Sequence, residues 1–123
     1  GLNIEFLGQR KDIPQILKNS DYFILPSARE GFGLVVLEAM CAKLPILATN
    51  AGGIPEIINS EKYGIIVESK SSEALLEGMK KLFQLTEEKR ARMTETAYDR
   101  LKSEFDAKKM AEKTEKVYEE CLT

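Results

Sequence analysis

No stretch of the 123-residue chain approaches the ~18 consecutive apolar residues needed to span a bilayer, and its start lacks the basic-then-apolar pattern of a secretory signal. A soluble protein is therefore expected. Charge of either sign is not in excess: 18 basic and 20 acidic residues leave a formal net charge of -2, so no overall field draws the chain to nucleic acid or an anionic membrane. Partner choice must come from a local site. Cysteine is sparse. Cys41 and Cys121 lie far apart, and Cys41 sits in an apolar run where a small buried thiol is expected, so a reducing cytoplasm fits best. Internal repeats, low-complexity tracts and linkers are absent, which predicts one domain over residues 1–123.

What the sequence has is alternation. Short apolar runs bounded by Gly, Pro or Asp occur at Ile4 to Leu7, Tyr22 to Leu25, Ile46 to Thr49 and Gly64 to Val67, and these predict four buried parallel strands. Between them, helical segments are expected around Asp12 to Lys18, Leu34 to Ala42 and Ile54 to Asn59. Strands alternating with helices argue for an α/β domain with a Rossmann-like parallel sheet. From Ser71 onward charges crowd the chain, and apolar residues recur every three or four positions. That spacing predicts helices near Ser72 to Phe83, Thr86 to Lys102 and Asp106 to Cys121. Leu75, Met79, Leu82 and Phe83 form the apolar stripe of the first, and Met110, Val117, Tyr118 and Cys121 that of the last. Both stripes are expected to face a core.

The segment Ser27 to Met40 carries the chemistry. It follows a strand ending at Leu25-Pro26, and Gly31 and Gly33 open a helix that is apolar on every face except at Glu38. Such a helix is expected to be buried, and an ionised carboxylate on it must find a partner. A buried Arg or Lys, a helix start or an edge amide would make Glu38 structural. The vicinal hydroxyls of a ribose would make it functional, because a carboxylate can accept two hydrogen bonds at once. The free amides of Gly33 to Val35 at the helix start suit a phosphate, and Glu38 lies only about 6 Å further along the axis. Diphosphate at the helix start, ribose on Glu38 and a further group near Glu30 then form one line along a nucleotide-linked ligand. This is the carboxyl edge of an open sheet, where ligands of such folds sit.

A second glycine turn, Asn50-Ala51-Gly52-Gly53-Ile54-Pro55-Glu56, follows the third predicted strand. Pro55 and Glu56 suit the first turn of a helix, and Glu56 is explained either by the helix dipole or by a ligand-facing role.

Taken together, Phe6-Leu7-Gly8, Asp21 to Ser27, Glu30 to Leu34 with Glu38-Ala39-Met40, Pro45 to Thr49, Gly52 to Glu56 and Gly64 to Val67 resemble the retaining glycosyltransferases with two Rossmann-like domains (the GT-B type). That family includes glycogen and sucrose synthases and many mannosyl- and glucosyltransferases. The motifs cover almost the whole chain in the family's order and match its C-terminal, donor-binding domain, starting from what looks like that domain's third strand. The resemblance implies that Glu30 contacts donor-sugar hydroxyls as the catalytic carboxylate. It implies that Gly31, Phe32, Gly33 and Leu34 hold sugar and phosphate, that Glu38 takes the ribose hydroxyls, and that Gln9 and Arg10 lie near the base. The family has no obligatory metal or cofactor beyond the nucleotide-diphosphate sugar that serves as donor, and it retains anomeric configuration.

The acceptor, whether sugar, lipid or protein, belongs to an N-terminal domain that this sequence does not contain. With that domain and the first two strands of the donor domain go the basic diphosphate partners, and with the acceptor domain a histidine often found there; the chain has no His. Membrane association, if any, would run through the same absent domain. One departure from the family is local: Lys43 stands where glycine is common at the end of the Leu34 helix, so a left-handed residue other than glycine is expected. Two readings follow. The chain is the donor-binding piece of a nucleotide-sugar transferase, or it is a non-catalytic nucleotide-binding module or split subunit needing a partner chain. A flavodoxin-like receiver is excluded by the lack of an acidic metal cluster at the strand ends. In an isolated piece, either the Ile4 to Leu7 strand is expected to pair directly with Tyr22 to Leu25 or another chain, such as a strand-exchanged copy, is expected to fill the gap, because unpaired edges invite pairing.

Overall fold

The computed structural model describes residues 13–26 and 34–104. Three parallel strands, β1 (Phe23–Leu25), β2 (Ile46–Thr49) and β3 (Ile65–Val67), form a sheet in the order β1-β2-β3. Phe23 stands opposite Ile46 and Leu47 opposite Ile65. The fourth expected strand, at Ile4 to Leu7, lies outside the described residues, as does the expected helix from Asp106. Among the described residues there are five helices: α1 (Ile13–Lys18), α2 (Leu34–Cys41), α3 (Ile54–Ile57), α4 (Ser72–Gln84) and α5 (Glu87–Glu104).

Strand side chains alternate between faces, so each strand feeds two cores. Phe23, Leu25, Ile46, Ala48 and Ile66 pack with α2, α3 and the second half of α5. Tyr22, Ile24, Leu47, Ile65 and Val67 pack with α4 and with Met93 near the start of α5. Helix α5 therefore passes beneath the amino ends of the strands and joins both layers. Its crossing is pinned by Arg90, which donates to the Tyr22 hydroxyl at 2.8 Å, and by Arg100. The Arg100 guanidinium is buried, lies 4.7 Å from the Tyr63 ring centroid and donates to the Glu56 carbonyl at 3.1 Å, tying α5 to α3.

Helix starts follow local hydrogen-bonding rules. Ser71 caps α4 by accepting from the Ala74 amide at 3.1 Å, and Thr86 caps α5 by accepting from the Lys89 amide at 3.2 Å. The α4 stripe is only partly as expected. Leu82 is buried and Leu75 and Met79 are half-buried, but Phe83 is 51% exposed, resting edge-on against Tyr22 at 5.1 Å. The reason is Gly78, which brings the helix backbone onto the sheet along a line that leaves Phe83 to one side. A β-carbon at Gly78 would stand 2.7 Å from Leu47 Cδ1 and 2.7 Å from Val67 Cγ1.

Gly78→Ala should therefore lower stability by about 1 kcal/mol, since an overpacking cost of roughly 1 to 3 kcal/mol outweighs a helix-propensity gain of up to about 1. Gly78→Val should cost more still. Urea unfolding of the two variants checks the order; an unchanged or raised midpoint for Gly78→Ala would mean that α4 does not depend on this close approach.

Candidate functional site

All three strands run the same way, and the helix starts of α2 and α3 gather at their carboxyl edge. The arrangement follows from the chain path. Helix α2 ends near Lys43 and Leu44, and Pro45 then accepts from the Phe23 amide at 3.0 Å at the amino end of β1. The other end of α2 thus points to the carboxyl edge, with Leu34 as its first residue.

Helix α2 is held against the sheet by Val36, Leu37 and Ala39, each 0% exposed, and by Met40 at 1%. Val35, Glu38 and Cys41 lie three residues apart along its remaining face and are half-buried. Glu38 was expected to be fully buried. It is instead half-buried and partnered within the protein, because an eight-residue helix packed on one side of a sheet keeps one face toward the rim. Cys41 differs from expectation for the same reason and one more: it is half-buried and disulfide-bonded, not a buried free thiol. Cys121, the sequence's only other cysteine, lies outside the described residues. The ground for expecting a reducing compartment is thereby removed.

Glu30, Gly31, Phe32 and Gly33, and with them Gln9 and Arg10, lie outside the described residues. Of the expected site, Leu34 opens α2 and Glu38 sits four residues on, about 6 Å along the axis.

The second turn forms the neighbouring part of the rim. Gly52 takes φ 52, a left-handed conformation that other residues adopt at a cost, whereas Gly53 has an ordinary φ of -86 and caps α3 without a side-chain hydrogen bond. Pro55 and Glu56 fall in the first turn as expected, and both are exposed. Sequence reasoning missed what fixes this turn. Asn50 donates its amide to the Val67 carbonyl and accepts from the Ser69 amide through Oδ1, each at 2.9 Å, so the carboxyl ends of β2 and β3 are stitched together directly beside Gly52. Asparagine just after a buried strand is the signal that could have found it. Among the described residues no group of three His, Cys, Asp or Glu side chains gathers where a metal could bind.

The far end of α2 is locked as the sequence led us to expect. Lys43 has φ 58, and the Leu44 amide donates to the Ala39 carbonyl at 3.2 Å while the Lys43 amide donates to Met40 at 3.1 Å. This pair of bonds is the Schellman closure of a helix, made here on lysine where glycine is usual. The Lys43 amine bonds Glu95 at 3.0 Å and lies 4.7 Å from the Tyr98 ring centroid, so α5 holds the end of α2 in place. The hydrogen bond and charge of Glu95 raise the Lys43 pKa above its ordinary 10.5.

Lys43→Ala keeps the left-handed cost and loses both contacts, whereas Lys43→Gly loses the contacts but removes the cost. The alanine variant should be the less stable. A raised lysine pKa means that the ion-pair contribution is complete below about pH 10.5 and is lost as pH climbs through the folded-state value. The deficit of Lys43→Ala relative to the parent should thus shrink in alkaline solution, which denaturant melts at neutral and high pH would show.

An open parallel sheet with the starts of α2 and α3 at its carboxyl edge, the second after a glycine turn, is the arrangement of Rossmann-like α/β domains. Within that class the chain belongs to the glycosyl transferases group 1 family, whose pattern it matches over residues 1–100. It is similar to N-acetyl-alpha-D-glucosaminyl L-malate synthase of Bacillus anthracis, with 32% identity over 95% of this chain and 30% of that protein. It is also 32% identical to the UDP-Gal:alpha-D-GlcNAc-diphosphoundecaprenol alpha-1,3-galactosyltransferase of Escherichia coli, over 91% of this chain and 28% of the relative. The chain thus spans about a third of the length of these relatives. Among solved structures it resembles a glycosyltransferase from Rickettsia africae (TM-score 0.80, 30% identity, 97% of this chain and 32% of that one). It also resembles Anabaena HepE in complex with UDP-glucose (TM-score 0.77, 28% identity, 94% and 31%).

Proposed function

We propose that the chain is the donor-binding part of a retaining glycosyltransferase that takes a sugar from a nucleotide diphosphate. The observation that carries this reading is the placement of Glu38, half-buried and one turn beyond a helix start at the carboxyl edge of the sheet, in a chain of this family. In this reading the α2 amides receive the diphosphate and Glu38 accepts hydrogen bonds from the ribose hydroxyls. Glu30 and the backbone of Gly31 to Leu34 hold the transferred sugar, with Gln9 and Arg10 toward the base. The leaving phosphate then helps deprotonate the acceptor on the face from which it departs, which retains configuration without a metal. The UDP-glucose held by HepE makes uridine diphosphate sugars the first donors to try.

Glu38→Ala should weaken nucleotide binding whatever sugar is attached, by about 1.5 to 3 kcal/mol for a lost charge-assisted pair. Calorimetry of the full-length enzyme with UDP measures it. Unchanged affinity would return Glu38 to a purely structural role.

Glu30→Gln should behave differently, slowing turnover more than it weakens UDP binding, because a contact to the sugar orients the reacting carbon. Equal losses of nucleotide affinity in the two variants would contradict that division.

The second reading, a module that binds without catalysing, is favoured for residues 1–123 alone, since they span only a third of their relatives and among the described residues β1 has a partner on one side only. Purified residues 1–123 should transfer no sugar, since transfer needs donor and acceptor held in one closed cleft. Either the Ile4 to Leu7 segment pairs directly with β1, or a second copy fills that edge, because unpaired strand edges invite pairing. Sugar transfer by these residues at a rate typical of enzymes would defeat this expectation.

A further inference from the structure

Where α4 ends and α5 begins its passage beneath the sheet, the two helices part and leave a cavity of about 520 Å³ beside the start of β3. It stands at the amino ends of the strands, the opposite end from the start of α2, so the donor reading does not account for it. Its size falls within the range of small-molecule sites, roughly 300 to 1,000 Å³. Apolar lining comes from Ile65, Leu85 and Met93, which belong to the α4-side core. Around them stand Lys62, Lys81, Lys89 and Arg92, with Glu61 the one carboxylate among the lining residues.

The charges are unevenly satisfied. Lys81 pairs with Glu61 at 3.3 Å and Arg92 with Glu88 at 3.1 Å. Among the described residues neither Lys62 nor Lys89 pairs with a carboxylate. Two unpaired cations, reinforced by two paired ones, thus stand over an apolar surface in a chain whose net charge is -2. A free inorganic anion would leave the apolar surface wet, and a neutral hydrocarbon would leave the lysines unmatched. One ligand chemistry satisfies both parts.

We propose that this cavity binds an amphipathic anion, a single aliphatic chain ending in a phosphate, with the chain against Ile65, Leu85 and Met93 and the phosphate between Lys62 and Lys89. The site is independent of the donor site, and its occupant does not compete with the nucleotide.

The test is calorimetric titration of the full-length protein with decyl phosphate below its micelle concentration, with inorganic phosphate and decanol as separate arms. Decyl phosphate should bind saturably at one site, at least tenfold more tightly than either fragment and less tightly as salt is raised. Lys62→Gln/Lys89→Gln, both exposed positions that should not disturb folding, should weaken it tenfold or more while leaving UDP affinity unchanged. Leu85→Gln, confirmed folded by its thermal melt, should weaken decyl phosphate but not inorganic phosphate. The proposal is overturned by equal affinity in the double lysine variant, or by inorganic phosphate binding as well as decyl phosphate. It is likewise overturned by binding only to phosphatidylglycerol vesicles, which would mark a membrane surface and not a cavity ligand. Loss of UDP binding alone in Glu38→Ala would bear on the donor reading and leave this one untouched.

Discussion

Ile46, Leu47 and Ala48 are each 0% exposed, so β2 has no face turned to water. A strand in that position is possible only if helices cover both sides of the sheet, and parallel pairing then requires every connection to cross back from one end to the other. The rest of the structure follows from this demand. Crossover helices deliver each new turn to the carboxyl edge, which is why α2 and α3 start near each other although twenty residues separate them. The site is a by-product of burying β2.

The same demand explains what could be read from the chain in advance. Continuous apolar runs such as Ile46 to Thr49 can hardly be anything but strands closed on both faces, and the helical periodicity after Ser71 leaves little choice of element. Lys43 was legible only through the resemblance, in which glycine commonly stands at the end of this helix, since glycine there marks a left-handed closing residue. Glu38 was legible as a carboxylate in apolar company, but not its degree of exposure, which depends on which side of α2 the sheet takes. Phe83 was misjudged because spacing counts apolar residues and cannot see Gly78, whose missing side chain decides how the helix sits. Arg100 was invisible for a different reason: in a helix dense with charge, nothing local distinguishes the one arginine that tertiary packing buries.

The two ends of the sheet have opposite characters. At the carboxyl edge, among the described residues, the Gly52 turn and the strand ends are held by short-range bonds such as those of Asn50. At the amino edge, side-chain cations from the loop before β3, from α4 and from α5 converge while the backbone is spent in helix and sheet. The two edges lie at opposite ends of the sheet, so a substitution that alters one leaves the other largely as it was.

Helix α5 is the only described helix that contributes to both cores, through Met93 on one side and Ala97 and Leu101 on the other. It is also the last element of the described chain. During synthesis the three strands and α2 to α4 emerge before it, with each layer's apolar surface still partly uncovered. The domain therefore cannot seal until some twenty further residues have left the ribosome, and at roughly 5 to 20 residues per second that leaves a window of a second or more in which both layers are open to solvent and to neighbouring chains.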